Sequence, residues 1–247
     1  MSHDSIFQRS HFVAAVLMSL IGGCGLGTLA SAPWIRDADN DDVLFVGDSI
    51  FALSGDIQDE LHAEAGETFR NYTTSGAEIT GGILAPSVAD QFDEAFDDDD
   101  SSTIVVMDGG GNDILIPVVA LFDPYRCKTP WWRSSLSSSC RAFLDDLYVD
   151  VVDLLDHMDD EGVEEIVYLG YYETTWGLLG ATNLEEAVDY GDAVLDDACA
   201  NTTASCVFID PRSSIRSSDI TLDGVHPTAS GSAKLADRIW VELEPLL

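Results

Sequence analysis

Short apolar runs alternate along the chain with longer segments in which apolar residues recur every third or fourth position. The runs 43–46, 68–72, 103–107, 165–169 and 206–209 have the length and composition of buried strands. Between them, 49–65 places Ile50, Leu53, Ile57 and Leu61 on one helical face, and 83–96 reads as a helix with Pro86 in its first turn. The segment 141–160 is the clearest helix, with Phe143, Leu144, Leu147, Val151, Leu154 and Leu155 forming one stripe. Helices are also predicted over 184–200 and 229–246. This alternation predicts one doubly wound α/β domain, a three-layer α/β/α sandwich around a five-stranded parallel sheet. In such sheets, chemistry gathers at the carboxyl ends of the strands.

The two ends of the periodic region differ. Residues 1–32 read as an export signal: Arg9 and His11 precede an apolar run from Phe12 to Ile21, followed by small residues. The run is shorter than the roughly 20 residues a membrane-spanning helix needs. Ile21-Gly22-Gly23-Cys24 resembles a bacterial lipobox, which makes Cys24 a candidate lipidation site and membrane anchor; cleavage near Ala30 or Ala32 would instead free the protein. Gly25-Leu26-Gly27-Thr28-Leu29-Ala30 fits a dinucleotide-binding pattern, but no strand precedes it, and it is set aside. Residues 33–42 read as an acidic linker, and 43–247 as the folded domain with an insert at about 121–141.

Composition narrows the partners. The 247 residues include 45 Asp or Glu against 11 Lys or Arg, a formal charge of −34. Such a polyanion repels nucleic acids and anionic lipid surfaces, suits a salt-rich setting, and favours neutral ligands over anionic ones. Without Cys24, four cysteines remain, an even number that suggests disulfides in an exported chain. Of three connectivities, Cys127–Cys140 with Cys199–Cys206 is the simplest. No H-E-x-x-H, paired C-x-x-C or G-x-S-x-G pattern is present, so neither a metal nor a cofactor is expected, nor an ordinary α/β-hydrolase elbow.

The strand ends carry the chemistry. The first strand ends in Gly47-Asp48-Ser49, the second is followed by Ser75-Gly76-Ala77, and the third ends in Gly110-Gly111-Asn112-Asp113. Asp223-Gly224-Val225-His226-Pro227 stands just before the last helix. These four segments, in this order, resemble the SGNH, or GDSL-type, serine hydrolase family from about Val43 to the C-terminus. The resemblance implies a flavodoxin-like sheet and esterase chemistry. It implies that Ser49 is the nucleophile, His226 the general base and Asp223 its orienting acid. The N–H groups of Ser49 and Gly76, with the side-chain amide of Asn112, would form the oxyanion hole. The chemistry is sound on its own terms. A serine hydroxyl needs an adjacent base, and a tetrahedral intermediate needs donors aimed at its oxygen. Asp48 and Asp113 read as loop-holding residues. His62 and His157 read as surface residues.

Two aromatic groups follow the third and fourth strands: Trp131 and Trp132 in the insert, and Tyr171, Tyr172 and Trp176. Each is a candidate substrate contact, with packing as the competing role. The expected protein is an exported monomeric serine esterase acting through an acyl-enzyme. A short-chain or acetylated-carbohydrate ester is preferred to a lipid, because no long apolar lid is evident. An acyltransferase with the same triad, or a silent glycan-binding lipoprotein, are the alternatives.

Overall fold

The computed structural model describes residues 32–247 other than 54 and 83; the expectations for the export segment and Cys24 lie outside the described residues. Five strands, β1 (Asn40–Val46), β2 (Phe69–Asn71), β3 (Ile104–Met107), β4 (Glu165–Leu169) and β5 (Cys206–Ile209), form one sheet in the order β2-β1-β3-β4-β5. Every pairing is parallel. The strand order reverses between β1 and β3, so a crevice opens at their carboxyl ends.

Both faces of the sheet are covered, as the alternation predicts. Val43 and Phe45 of β1 pack against Ile57 and Leu61 of α2 (Asp56–Ala65) and against Leu235 and Ile239 of α7 (Ala229–Leu243). Leu44 and Val46 point the other way, as period two requires. They join Phe92 of α3 (Val88–Asp98), Leu147 and Val151 of α5 (Ser138–Asp160) and Leu195 of α6 (Glu185–Asn201) in the second core.

The elements depart from the sequence reading in three places. The first helix is broken into α1 (Ser49–Ala52) and α2, because Leu53 turns extended and Gly55 takes a left-handed conformation. Helix α3 begins at Val88, not at 83: Ser87 caps it and exchanges hydrogen bonds with Asp90 in a capping box, which leaves Pro86 outside. A helix that the pattern did not suggest, α4 (Gly111–Ala120), follows β3 and contains Pro117.

The segment 33–42 is not a free linker. Asn40–Asp42 belong to β1, and Ile35 bridges to Asn71 on the sheet edge. Arg36 lies 5.3 Å from the ring centres of both Trp34 and Tyr72 and pairs with Glu94 and Asp98. His62 is half-buried and not a plain surface residue; its Nε2 accepts the Phe69 N–H at 3.1 Å. His157 pairs with Asp93 at 2.9 Å on the exposed face.

Both disulfides have the local connectivity, Cys127–Cys140 and Cys199–Cys206. The second ties the end of α6 to the start of β5 across 7 residues. Closing so short a loop restrains the unfolded chain by about 2–3 kcal/mol. The double variant Cys199→Ser/Cys206→Ser is therefore expected to lose about that much in urea unfolding, with the slope of the transition little changed. Among the described residues, no helix is long and apolar enough to cross a membrane.

Candidate active site

Ser49 begins α1 directly after β1, at the topological crevice. Asp48 caps this short helix, its Oδ1 accepting the Ile50 N–H at 2.9 Å. The turn before it is held on both sides. The buried Gln91 amide donates to the Gly47 carbonyl at 3.0 Å and accepts the Gly47 N–H at 2.8 Å. Asp108, at the end of β3, accepts the Asp48 N–H at 2.6 Å. A side chain at Gly47 would place its Cβ 1.8 Å from that Asp108 oxygen, so the position requires glycine.

His226 and Asp223 come from the turn before α7. His226 Nε2 lies 2.9 Å from Ser49 Oγ, and Nδ1 lies 2.7 Å from Asp223 Oδ2. The second Asp223 oxygen accepts the Val225 and His226 N–H groups at 2.8 and 3.0 Å. These bonds fix the carboxylate, and the carboxylate fixes the ring. Burial pushes the Asp223 carboxyl upward, but the His226 hydrogen bond and charge, with the two N–H donors, outweigh it and hold it well below the ordinary range. Ser49, Asp223 and His226 are 7%, 8% and 8% exposed, which leaves each just reachable.

Asn112 stands in the first turn of α4. Its Nδ2 donates to the Ala77 carbonyl at 2.9 Å, so it is anchored beside the Gly76 turn. Asp113 reaches the same loop, accepting the Ile79 N–H at 3.1 Å. The structure therefore brings Ser49, Gly76, Asn112, Asp223 and His226 to one end of the sheet. An imidazole oriented in this way can withdraw a hydroxyl proton, and nearby amide donors can receive a developing oxyanion.

Burial pushes the Asp113 carboxyl up to about 7, helped by Glu78 and opposed by the Ile79 N–H. The folded protein then keeps a proton that the unfolded chain loses near pH 4. Stability tied to Asp113 is present at low pH and falls as pH rises toward 7. Asp113→Asn keeps an acceptor for Ile79. It is expected to flatten the decline in unfolding free energy between about pH 4 and pH 7 by on the order of 1–4 kcal/mol.

Beneath the serine lies a network that the sequence reading did not find. Tyr171 donates its hydroxyl to Asp48 Oδ2 at 2.7 Å. Burial and the neighbouring Asp48 and Asp108 charges keep that phenol protonated and able to donate. Asp108 is pushed well above the carboxylate range by burial and by the Asp48 charge. The one signal for it was an acid closing an otherwise apolar strand, Ile104-Val105-Val106-Met107-Asp108.

The aromatic expectations divide. Tyr171 and Tyr172 are used by the framework, Tyr171 on Asp48 and Tyr172 on the Val225 carbonyl at 2.7 Å, although both also line the opening beside Ser49. Trp131, Trp132 and Trp176 do not line that opening and are 92%, 72% and 87% exposed. The loop carrying Trp176 pairs with the turn that carries Asp223. Thr175 N–H donates to Gly224 at 2.8 Å, and Leu179 N–H to Asp223 at 3.1 Å. The insert braces this loop in turn, through Lys128 Nζ to Gly180 at 3.0 Å and Thr129 N–H to Asn183 at 2.7 Å.

No family model matches the chain, and no curated protein matches it in sequence. Solved structures match it in fold. An aryl esterase from M. smegmatis is 15% identical with a TM-score of 0.54, covering 84% of this chain and 100% of its own. Est24, a carbohydrate acetylesterase from Sinorhizobium meliloti, is 12% identical with a TM-score of 0.54 over 84% and 100%. A candidate SGNH hydrolase from Slackia heliotrinireducens is 16% identical with a TM-score of 0.55 over 83% and 98%. The five-stranded parallel sheet with helices on both faces is thus the α/β fold of the SGNH hydrolases.

Proposed function

We propose that the protein is an exported serine esterase that cleaves neutral carboxylic esters through an acyl-enzyme. The observation that carries this reading is the hydrogen-bonded series Ser49 Oγ, His226, Asp223, with spacings of 2.9 and 2.7 Å. In the first half-reaction His226 Nε2 takes the Ser49 proton while Oγ attacks the ester carbonyl. The oxyanion is received by the Ser49 and Gly76 N–H groups and the Asn112 amide. Collapse expels the alcohol, which leaves with the proton held by His226. Water then repeats the sequence on the acyl-serine and releases the acid. Asp223 holds the ring with Nδ1–H toward itself, so that Nε2 faces the serine as an acceptor.

Two disulfides support export, since such bonds persist in oxidising compartments. The charge of −34 supports neutral over anionic esters. The test is release of p-nitrophenol from p-nitrophenyl acetate, with glycerol present as a competing acceptor. Acetate as the main product is expected. Acetylglycerol as the main product would make the protein an acyltransferase, and no release at all would overturn the reading.

A further inference from the structure

The opening beside Ser49 has walls that are almost wholly apolar. It begins at Ser49, Gly111 and Asn112 and continues between α4 and α6 toward Leu147 of α5. Leu115 of α4 forms part of one side, and Leu184 at the start of α6, with Val188 and Leu195 of α6, forms the other. Among the described residues, no basic side chain lines it. The two acids at its border have partners outside it: Asp48 has Ile50 and Tyr171, and Asp192 has the Tyr171 N–H at 2.9 Å on one oxygen and Arg212 Nε at 3.5 Å from the other. A sugar ring placed there would find few partners for its hydroxyls, whereas an alkyl chain would lose nothing by leaving water.

The length of this wall decides between an acetyl group and something longer. Leu184 to Leu195 runs along three turns of α6, on the order of 16 Å. An acetyl methyl would occupy only the mouth. Leu115 and Val188 are apolar yet only half-buried, and they keep part of their surface uncovered beside the nucleophile.

We propose that this opening is the acyl-chain site and that it takes a straight, saturated chain of medium length, with the alcohol part of the ester held outside at the rim. The proposal rests on the serine esterase reading and replaces the short-acyl preference drawn from the missing lid. A chain that enters between helices needs no lid to cover it.

A series of p-nitrophenyl esters from acetate to dodecanoate, each below its aggregation limit, tests this. The expected kcat/KM rises about fourfold for each methylene that enters the opening, levelling off near the medium chains. Val188→Trp and Leu115→Trp fill the opening from opposite sides and are expected to lower the octanoate-to-acetate ratio at least tenfold. Should either variant not fold, the wild-type series decides alone. Acetate hydrolysis with a flat or falling trend in chain length overturns the acyl-chain site and leaves the esterase standing. A ratio unmoved by both folded variants does the same. Failure to hydrolyse any ester of the series, with no labelling of Ser49 by a fluorophosphonate, overturns the esterase reading itself and this site with it.

Discussion

Ser49→Ala is expected to lower kcat/KM for p-nitrophenyl acetate by roughly 10⁴- to 10⁶-fold while the protein stays folded. The size follows from the mechanism. Without Oγ no acyl-enzyme forms, and the remaining groups can only assist direct attack by water, which leaves a small residual rate. The fold should survive because the side chain is small, 7% exposed, and bonded only to His226 among the contacts that hold the loop. The turn itself is held by Gln91, Asp108 and the Asp48 cap, none of which uses the serine hydroxyl. Circular dichroism and thermal unfolding should therefore match the parent closely while hydrolysis falls to that residual rate.

Asp223→Asn should produce the second large loss, about 10⁴-fold in kcat, with KM changed far less. An amide oxygen at this position can still accept the Val225 and His226 N–H groups, so the turn keeps its shape. Its NH₂ group, however, faces His226 Nδ1 as a donor. The ring must then carry its proton on Nε2, and that nitrogen presents N–H to Ser49 where a lone pair is needed. Lowering the pH into the ordinary carboxylate range does not imitate the substitution, because the His226 and backbone bonds keep Asp223 ionised there. Stability from this carboxylate is present above the ordinary carboxylate range and is lost only as pH falls through its depressed folded value.

The strands, and the candidate residues that meet at their ends, were legible because each is a local property of the chain. A buried strand shows as a bounded apolar run, and Ser49, Asn112, Asp223 and His226 each stand at a strand end or before a helix in a recognisable order. The helices were less legible at their ends. The Ser87–Asp90 capping box was available in the sequence and marks where α3 starts, but the apolar residues upstream masked it. The break before α2 turns on one left-handed glycine, Gly55, inside a segment whose periodicity continues across it. Helix α4 escaped because two glycines precede it and a third begins it, Pro117 interrupts it, and its apolar residues do not form one stripe.

What the sequence could not convey is which distant groups meet. Tyr171 reaches Asp48 across 123 positions, and the opening beside Ser49 is assembled from α4, α5 and α6. No spacing rule announces either. The same holds for the bracing of the Asp223 turn, where the loop after β4 pairs with residues 222–224 and the disulfide-closed insert supports that loop from behind. Trp131 and Trp132 were conspicuous by type, yet they stand on the outer surface of this brace and not in the opening.

The central claim is that Ser49 is a nucleophile activated by His226 and Asp223. Intact-mass and peptide mapping after treatment with a fluorophosphonate tests it most directly, because the reagent traps an activated serine at the step that forms the acyl-enzyme. One adduct is expected, located on Ser49, absent in Ser49→Ala and slowed at least a hundredfold in Asp223→Asn. An unmodified protein, or an adduct mapped to another residue and retained in Ser49→Ala, would contradict the account.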